Sequence, residues 1–389
     1  MKIDRKAERV KKIKLSEIRK FFAAARLFPG AINLGIGEPD FTPPKHIIEA
    51  SEKAMREGKT HYAPTTGIPE LLEALARKTR RDYNLSYDSG SEILVTVGAV
   101  EAVFLALMAT VNLGDEVLFP DPGFVCYEPV IRIAGGVPVP IPLMEENEFR
   151  IDAEVVRSLI TDRSRVMILN SPHNPTGSVL TYDDLSSLAK LAVEHDLVVI
   201  SDEVYEKILY NDACHYCVAT FPGMRERTVV VNSFSKTYAM TGFRIGFALG
   251  PSDIISAMAL VHQYTSACVN TPTQYAALAA LEGPQDFVYD MVHEFDRRRR
   301  LVCRRISEIE GLSCVVPKGA FYVFPNIRAF GMSSERFARF LLEEAKVVVV
   351  PGSGFGEHGE GYIRISYATS YENLEEAMNR IERALKSLK

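Results

Sequence analysis

From about residue 45 to residue 285, short β-branched and apolar runs alternate with stretches of helical periodicity. This alternation constrains the fold more than any other feature, because parallel strands need a crossover of a dozen or more residues and a helix is the usual one. The runs read as strands are Glu92–Val97, Glu116–Phe119, Val166–Asn170, Leu197–Ser201, Thr228–Asn232 and Arg244–Leu249. They predict an α/β lobe with a mainly parallel sheet flanked by helices. A long charged helix is expected around Glu282 to Arg300, followed by strands at Ser313–Val316, Phe321–Phe324, Val347–Val350 and Tyr362–Tyr367. Those later elements read as a smaller α+β lobe. A chain of 389 residues is too long for one small core. The expected division is an N-terminal arm with part of the small lobe at 1–45, a large lobe at 46–290 and a small C-terminal lobe at 291–389.

Composition removes several classes of function. The net charge of −5 gives no electrostatic reason to expect nucleic acid or an anionic membrane as partner. No apolar run reaches the roughly 18 residues of a membrane span, and the charged start of the chain is not followed by a secretory apolar core, so a cytoplasmic protein is expected. Cys214 and Cys217 form the one C-x-x-C pair, with His215 between them. A zinc site needs a second ligand pair at suitable spacing, so free thiols and no metal are expected.

The chemistry concentrates in Ser233-Phe234-Ser235-Lys236-Thr237-Tyr238-Ala239-Met240-Thr241-Gly242-Phe243-Arg244, directly after a predicted strand. Hydroxyls and a guanidinium suit a phosphate dianion, and a lysine amine can form a Schiff base with an aldehyde. Pyridoxal phosphate carries both groups. Upstream, Val198-Val199-Ile200-Ser201-Asp202-Glu203-Val204-Tyr205 ends a strand on an acid, and open α/β sheets bind ligands at the carboxyl ends of their strands. Asp202 is thereby placed for a protonated ring nitrogen, the alternative being a helix N-cap. In Asn170-Ser171-Pro172-His173-Asn174-Pro175-Thr176-Gly177, Asn174 can donate to a phenolic oxygen, as can Tyr205. Read alone, that segment is equally a surface turn.

Together, P-H-N-P-T-G, S-D-E-V-Y and S-F-S-K-T-Y-A-M-T-G-F-R resemble the class I aminotransferases, the aspartate and aromatic branch of the type I pyridoxal-phosphate fold, over nearly the whole chain. The resemblance implies that residues 46–290 bind the cofactor, with Lys236 as the catalytic lysine, Asp202 at the pyridine nitrogen, and Asn174 and Tyr205 at the phenolic oxygen. Ser233, Ser235 and Arg244 would hold the phosphate, together with backbone N–H groups of Gly98, Ala99 and Val100 in the turn Thr96-Val97-Gly98-Ala99-Val100-Glu101-Ala102. Phe124 falls where the family stacks an aromatic ring on the pyridine. Arg364 matches the arginine for the substrate's α-carboxylate, helped by Asn174 and the Gly37 backbone. Tyr62 resembles the tyrosine that reaches the phosphate of a neighbouring subunit, which implies a homodimer.

The implied activity is amino transfer from an L-amino acid to 2-oxoglutarate. Some bacterial aspartate-specific relatives carry a lysine where this chain has Val100, and no second arginine for a distal carboxylate is evident. An aromatic or broad donor range is therefore expected, with aspartate as the alternative and a β-lyase of the same fold as another class. Phe21, Phe22, Ile36 and Phe124 could form an apolar wall. Two further signals are set aside. Gly354-x-Gly356-x-x-Gly359 imitates a dinucleotide fingerprint but leads into an alternating strand pattern, so a mobile loop near Arg364 is expected instead. The Arg297–Arg300 run is read as a solvated helix face.

Overall fold

A computed structural model of the protein describes residues 5–11, 13 and 28–388. Most of the N-terminal arm, including Phe21 and Phe22, lies outside the described residues. The first strand, β1 (Ile32–Asn33), belongs to a small parallel pair considered below. The central sheet is built from β2 (Ile93–Thr96), β3 (Glu116–Asp121), β4 (Val137–Pro142), β5 (Ser164–Asn170), β6 (Val198–Asp202), β7 (Thr228–Ser233) and β8 (Gly246–Leu249), in the order β2-β8-β7-β6-β5-β3-β4. Pairings from β4 through β7 are parallel, whereas β8 runs antiparallel to both β7 and β2. The sheet is the expected mainly parallel, mixed one.

β3, β7 and β8 are buried along their length, and β5 and β6 beyond their first residues, as strands covered by helices on both faces must be. β4 escaped the sequence reading because its segment, V-P-V-P-I-P, carries three prolines. Its place at the sheet edge explains them, since an edge strand can lose N–H donors to solvent without breaking the ladder.

The later strands are β9 (Tyr322–Val323), β10 (Val347–Val348), β11 (Val350–Pro351) and β12 (Ile363–Ser366). β12 lies between β11 and β9, antiparallel to both, and β10 pairs with β1 in parallel. The expected strand at Ser313–Val316 is reduced to one isolated bridge, Ser313 to Asn326. Arg244 also lies outside the strand that follows it, in a left-handed backbone conformation with φ of 53°. The helix Asp286–Glu308 runs through position 290, packing Val288 into one apolar cluster and Met291 and Phe295 into another.

The arginine run on that helix is only half solvated. Arg298 and Arg299 are buried, the first bonded to Asp40 and Glu294, the second to Asp296 and the carbonyl of Pro317. Helical rotation turns two successive residues inward while Arg297 and Arg300 face out, and the buried pair persists because each guanidinium has acceptors. Residues 352–359 form two short 3-10 turns rather than a free loop: Asp121 accepts the N–H groups of Glu357 and His358, and Gly123 N–H donates to Phe355. No helix among the described residues is long and apolar enough to cross a membrane.

Candidate active site

Three parallel strands end together. Asn170 closes β5 beside Asp202 at the end of β6, and Ser233 closes β7. Beyond these ends lies a cavity of about 580 Å³. Its wall includes Lys236, Asp202, Tyr205, Asn174, Ser233, Ser235, Arg244, Arg364, Phe124, Ala99, Val100 and Gly37, drawn from positions up to 327 residues apart.

Lys236 sits on a single turn, Phe234–Thr237, capped by the Ser233 hydroxyl accepting from Ser235 N–H. Its Nζ donates to the carbonyl of Gly37 at 2.6 Å. Burial pushes its amine down to about 8, with Glu38 opposing that shift and Arg364 and Arg244 reinforcing it. A neutral, nucleophilic amine is thereby populated near neutral pH.

Burial raises Asp202 to about 6, opposed by the hydrogen bond from Tyr127 Oη to Oδ2 at 2.7 Å. A buried carboxylate whose donors, Tyr127 Oη and Val204 N–H, are both neutral is ready for a cationic partner. The Asn174 carbonyl oxygen accepts from Arg364 Nη1 at 2.9 Å, and Arg364 Nη2 donates to the carbonyl of Gly35 at 2.7 Å. No described carboxylate pairs with Arg364, and its Nε is buried without a partner. Burial lowers its affinity for the proton, and the rings of Tyr322 and Phe355 lie 4.4 and 4.8 Å from its guanidinium carbon. Such a cation calls for an anionic, planar ligand.

At the other end, Ser233 Oγ lies 2.8 Å from Ser235 Oγ, and Arg244 donates to the carbonyl of Thr241. Gly98 has φ of +79°, and a Cβ there would stand 2.6 Å from Arg244 Nη2. Only glycine lets the guanidinium lie against this turn. The helix Ala99–Thr110 starts at this point, and among the described residues the N–H groups of Ala99 and Val100 have no hydrogen-bond partner. Gly98 N–H, expected to serve the phosphate, instead donates to the carbonyl of Thr96 at 2.8 Å. The turn is so tight that this amide points back along the chain.

A phosphate dianion, an aromatic nitrogen cation and an aldehyde each find complementary groups here: paired hydroxyls with Arg244, Asp202, and Lys236. The residues present therefore fit pyridoxal phosphate. Phe124 lines the cavity and meets Tyr127 edge to face, with ring centroids 5.7 Å apart. Tyr62 is not in the cavity wall; it stands on the surface, 90% exposed.

Sequence reasoning missed Tyr127, Tyr322, Asn170 and Thr241. Tyr322 Oη lies 2.8 Å from Tyr205 Oη, and Asn170 orients Asn174 by accepting its backbone N–H. Tyr127 was discoverable, because it opens the helix just past Phe124 and a buried phenol needs a partner. Nothing in the local pattern of Tyr322 announces its partner 117 residues away. Cys214 and Cys217 are free thiols, and His215 pairs with Glu203 at 2.8 Å.

A doubly wound sheet whose strand ends gather a lysine, an aspartate and two arginines around one cavity defines the type I pyridoxal-phosphate fold. Residues 29–381 match the family model for aminotransferase class I and II. The chain is 50% identical to an aspartate aminotransferase of Pyrococcus abyssi, over 98% of this chain and 99% of that protein. It is 47% identical to aromatic-amino-acid aminotransferase 2 of Thermococcus litoralis, with the same coverage. The solved structure of an aromatic aminotransferase from Pyrococcus horikoshii superposes with a TM-score of 0.93 at 48% identity, covering 98% of both chains. The chain belongs to the class I and II aminotransferases. It is a pyridoxal-phosphate-dependent transaminase, moving an amino group from an amino acid to a 2-oxo acid.

Proposed function

We propose that this transaminase takes its amino group from aromatic or broadly apolar L-amino acids and delivers it to 2-oxoglutarate, working as a homodimer. The observation that carries the reading is the cavity itself: among its described lining residues the only arginines are Arg244 and Arg364 and the only lysine is Lys236. All three have roles at the cofactor or the α-carboxylate, which leaves no cation for a distal carboxylate among the described lining residues of the protomer. Ile36, Val100, Val103, Phe124 and Val125 supply an apolar wall instead.

Ser233, Ser235, Arg244 and the N–H groups of Ala99 and Val100 would hold the cofactor's phosphate, Asp202 its ring nitrogen, Asn174 and Tyr205 its phenolic oxygen, and Phe124 its ring face. When bound, pyridoxal phosphate supplies an aldehyde that captures amines and a protonated ring that draws electrons from the substrate's α-carbon. Arg364 grips the substrate carboxylate with its planar fork and so fixes which bond at the α-carbon faces Lys236. The Lys236 amine, held near pH 8 by its buried setting, removes the proton from that carbon and returns it elsewhere on the reacting system. Asp202, once ionised beside the ring nitrogen, keeps a proton there throughout. The outward position of Tyr62 supports a role for the partner subunit's Tyr62 at the phosphate.

A steady-state comparison of tyrosine, phenylalanine, aspartate, alanine and kynurenine as donors tests the substrate reading. Tyrosine and phenylalanine should lead, and aspartate ahead by orders of magnitude would defeat it in favour of the aspartate alternative. Product formation should require an oxo-acid acceptor; ammonia release without one would point to a β-lyase.

A further inference from the structure

Glu101 occupies the third position of the helix Ala99–Thr110, whose first turn meets the cavity. Its Oε2 accepts Val97 N–H at 2.5 Å. The other oxygen, Oε1, accepts the hydroxyl of Ser266 and lies 3.3 Å from Nδ1 of His262, a fully buried imidazole whose nitrogens have no hydrogen-bond partner. This is half of a capping box, moved one residue upstream. The missing half is the N-cap side chain, which would have bonded the N–H groups of the first turn. Gly98 has none, so the turn is held from behind by Glu101, and by Thr96 Oγ1 donating to the Gly98 carbonyl at 3.1 Å.

One consequence follows for the cavity side. The first-turn amides stay free for an external anion. The carboxylate that secures them is itself held in place by the Ser266 hydroxyl. His262, on the helix Ser252–Thr265, brings Nδ1 to 3.3 Å from that carboxylate, with Ser266 just beyond that helix.

We infer that Glu101, braced by His262 and Ser266, is a positioning residue that shapes the phosphate cup of this enzyme. The inference rests on the reading that the cofactor phosphate lies at Ala99 and Val100. The test compares binding of pyridoxal phosphate and of pyridoxal, which lacks the phosphate, to cofactor-stripped protein. The parent should prefer the phosphorylated form strongly; a parent without that preference overturns the reading of the cup itself. Glu101→Ala should lower the preference by roughly tenfold, the scale seen for groups that orient a ligand shell, while pyridoxal affinity stays within about twofold. Glu101→Gln, which retains an acceptor for Val97 N–H, should restore most of it. Equal loss for both ligands, or an unchanged preference in a folded variant, refutes the inference while leaving the cup intact. Should Glu101→Ala fail to fold, His262→Gln decides. It removes the imidazole that packs against Oε1, so the preference must fall, and no fall refutes the proposal.

Discussion

Lys236 is kept uncharged more easily than a free lysine, and that has a thermodynamic cost measurable without any catalysis. A fall from 10.5 to about 8 means the charged amine is disfavoured in the folded, cofactor-free protein by about 3 kcal/mol. Replacing it in Lys236→Met removes that penalty and also removes the hydrogen bond to Gly37, worth about 1 kcal/mol. The variant should therefore be more stable than the cofactor-free parent by about 2 kcal/mol at pH 7. The sign depends on pH. Below about 8 the amine is protonated in both folded and unfolded states and the full penalty applies; between there and 10.5 the unfolded chain retains a proton that the folded chain has released. Parent stability thus rises through that window, and by about pH 9.5 the variant's advantage should vanish. Urea unfolding of both cofactor-free proteins, followed by circular dichroism at pH 7 and 9.5, measures the difference. A variant less stable than the parent at pH 7, or a difference independent of pH, would refute the assignment of a buried, destabilised amine.

Other outcomes follow from the same geometry. Arg364→Ala should lower kcat/KM for amino acids by roughly a hundredfold or more, because a buried bidentate partner for the carboxylate is lost; steady-state kinetics with a saturating acceptor checks this. Asp202 titrates near 6 in the cofactor-free protein and must be ionised to meet a ring cation, so pyridoxal phosphate affinity should weaken as pH falls below about 6. In Asp202→Asn that pH dependence should disappear, as equilibrium dialysis across pH 5 to 8 would reveal. Gly98→Ala would force a Cβ to within 2.6 Å of Arg244 at a backbone angle that disfavours side chains; cofactor affinity should drop by about tenfold, measurable by fluorescence titration.

The sheet was legible because fully buried parallel strands leave continuous apolar runs, and the site because a parallel sheet delivers its strand ends to one edge. Asn174, Asp202 and Lys236 could be grouped before any coordinates. What stayed hidden depends on partners far apart in the chain. The prolines of β4 read as breakers until its edge position is known, and the inward turn of Arg298 depends on Asp40, 258 residues earlier. Gly98 N–H donates to the Thr96 carbonyl in the chain itself, because a glycine turn at a helix start fixes where amides cluster but not which of them the chain also uses itself. The glycines of residues 352–359 read as a mobile loop, yet Asp121 at the end of β3 and Gly123 just beyond it bond to it.

Borohydride reduction of the cofactor-loaded protein, followed by peptide mapping, asks the central question directly: which amine does the aldehyde hold? The account predicts the reduced cofactor on the peptide bearing Lys236 and on no other. Its recovery on a different lysine, with Lys236 unmodified, would contradict the site at its foundation.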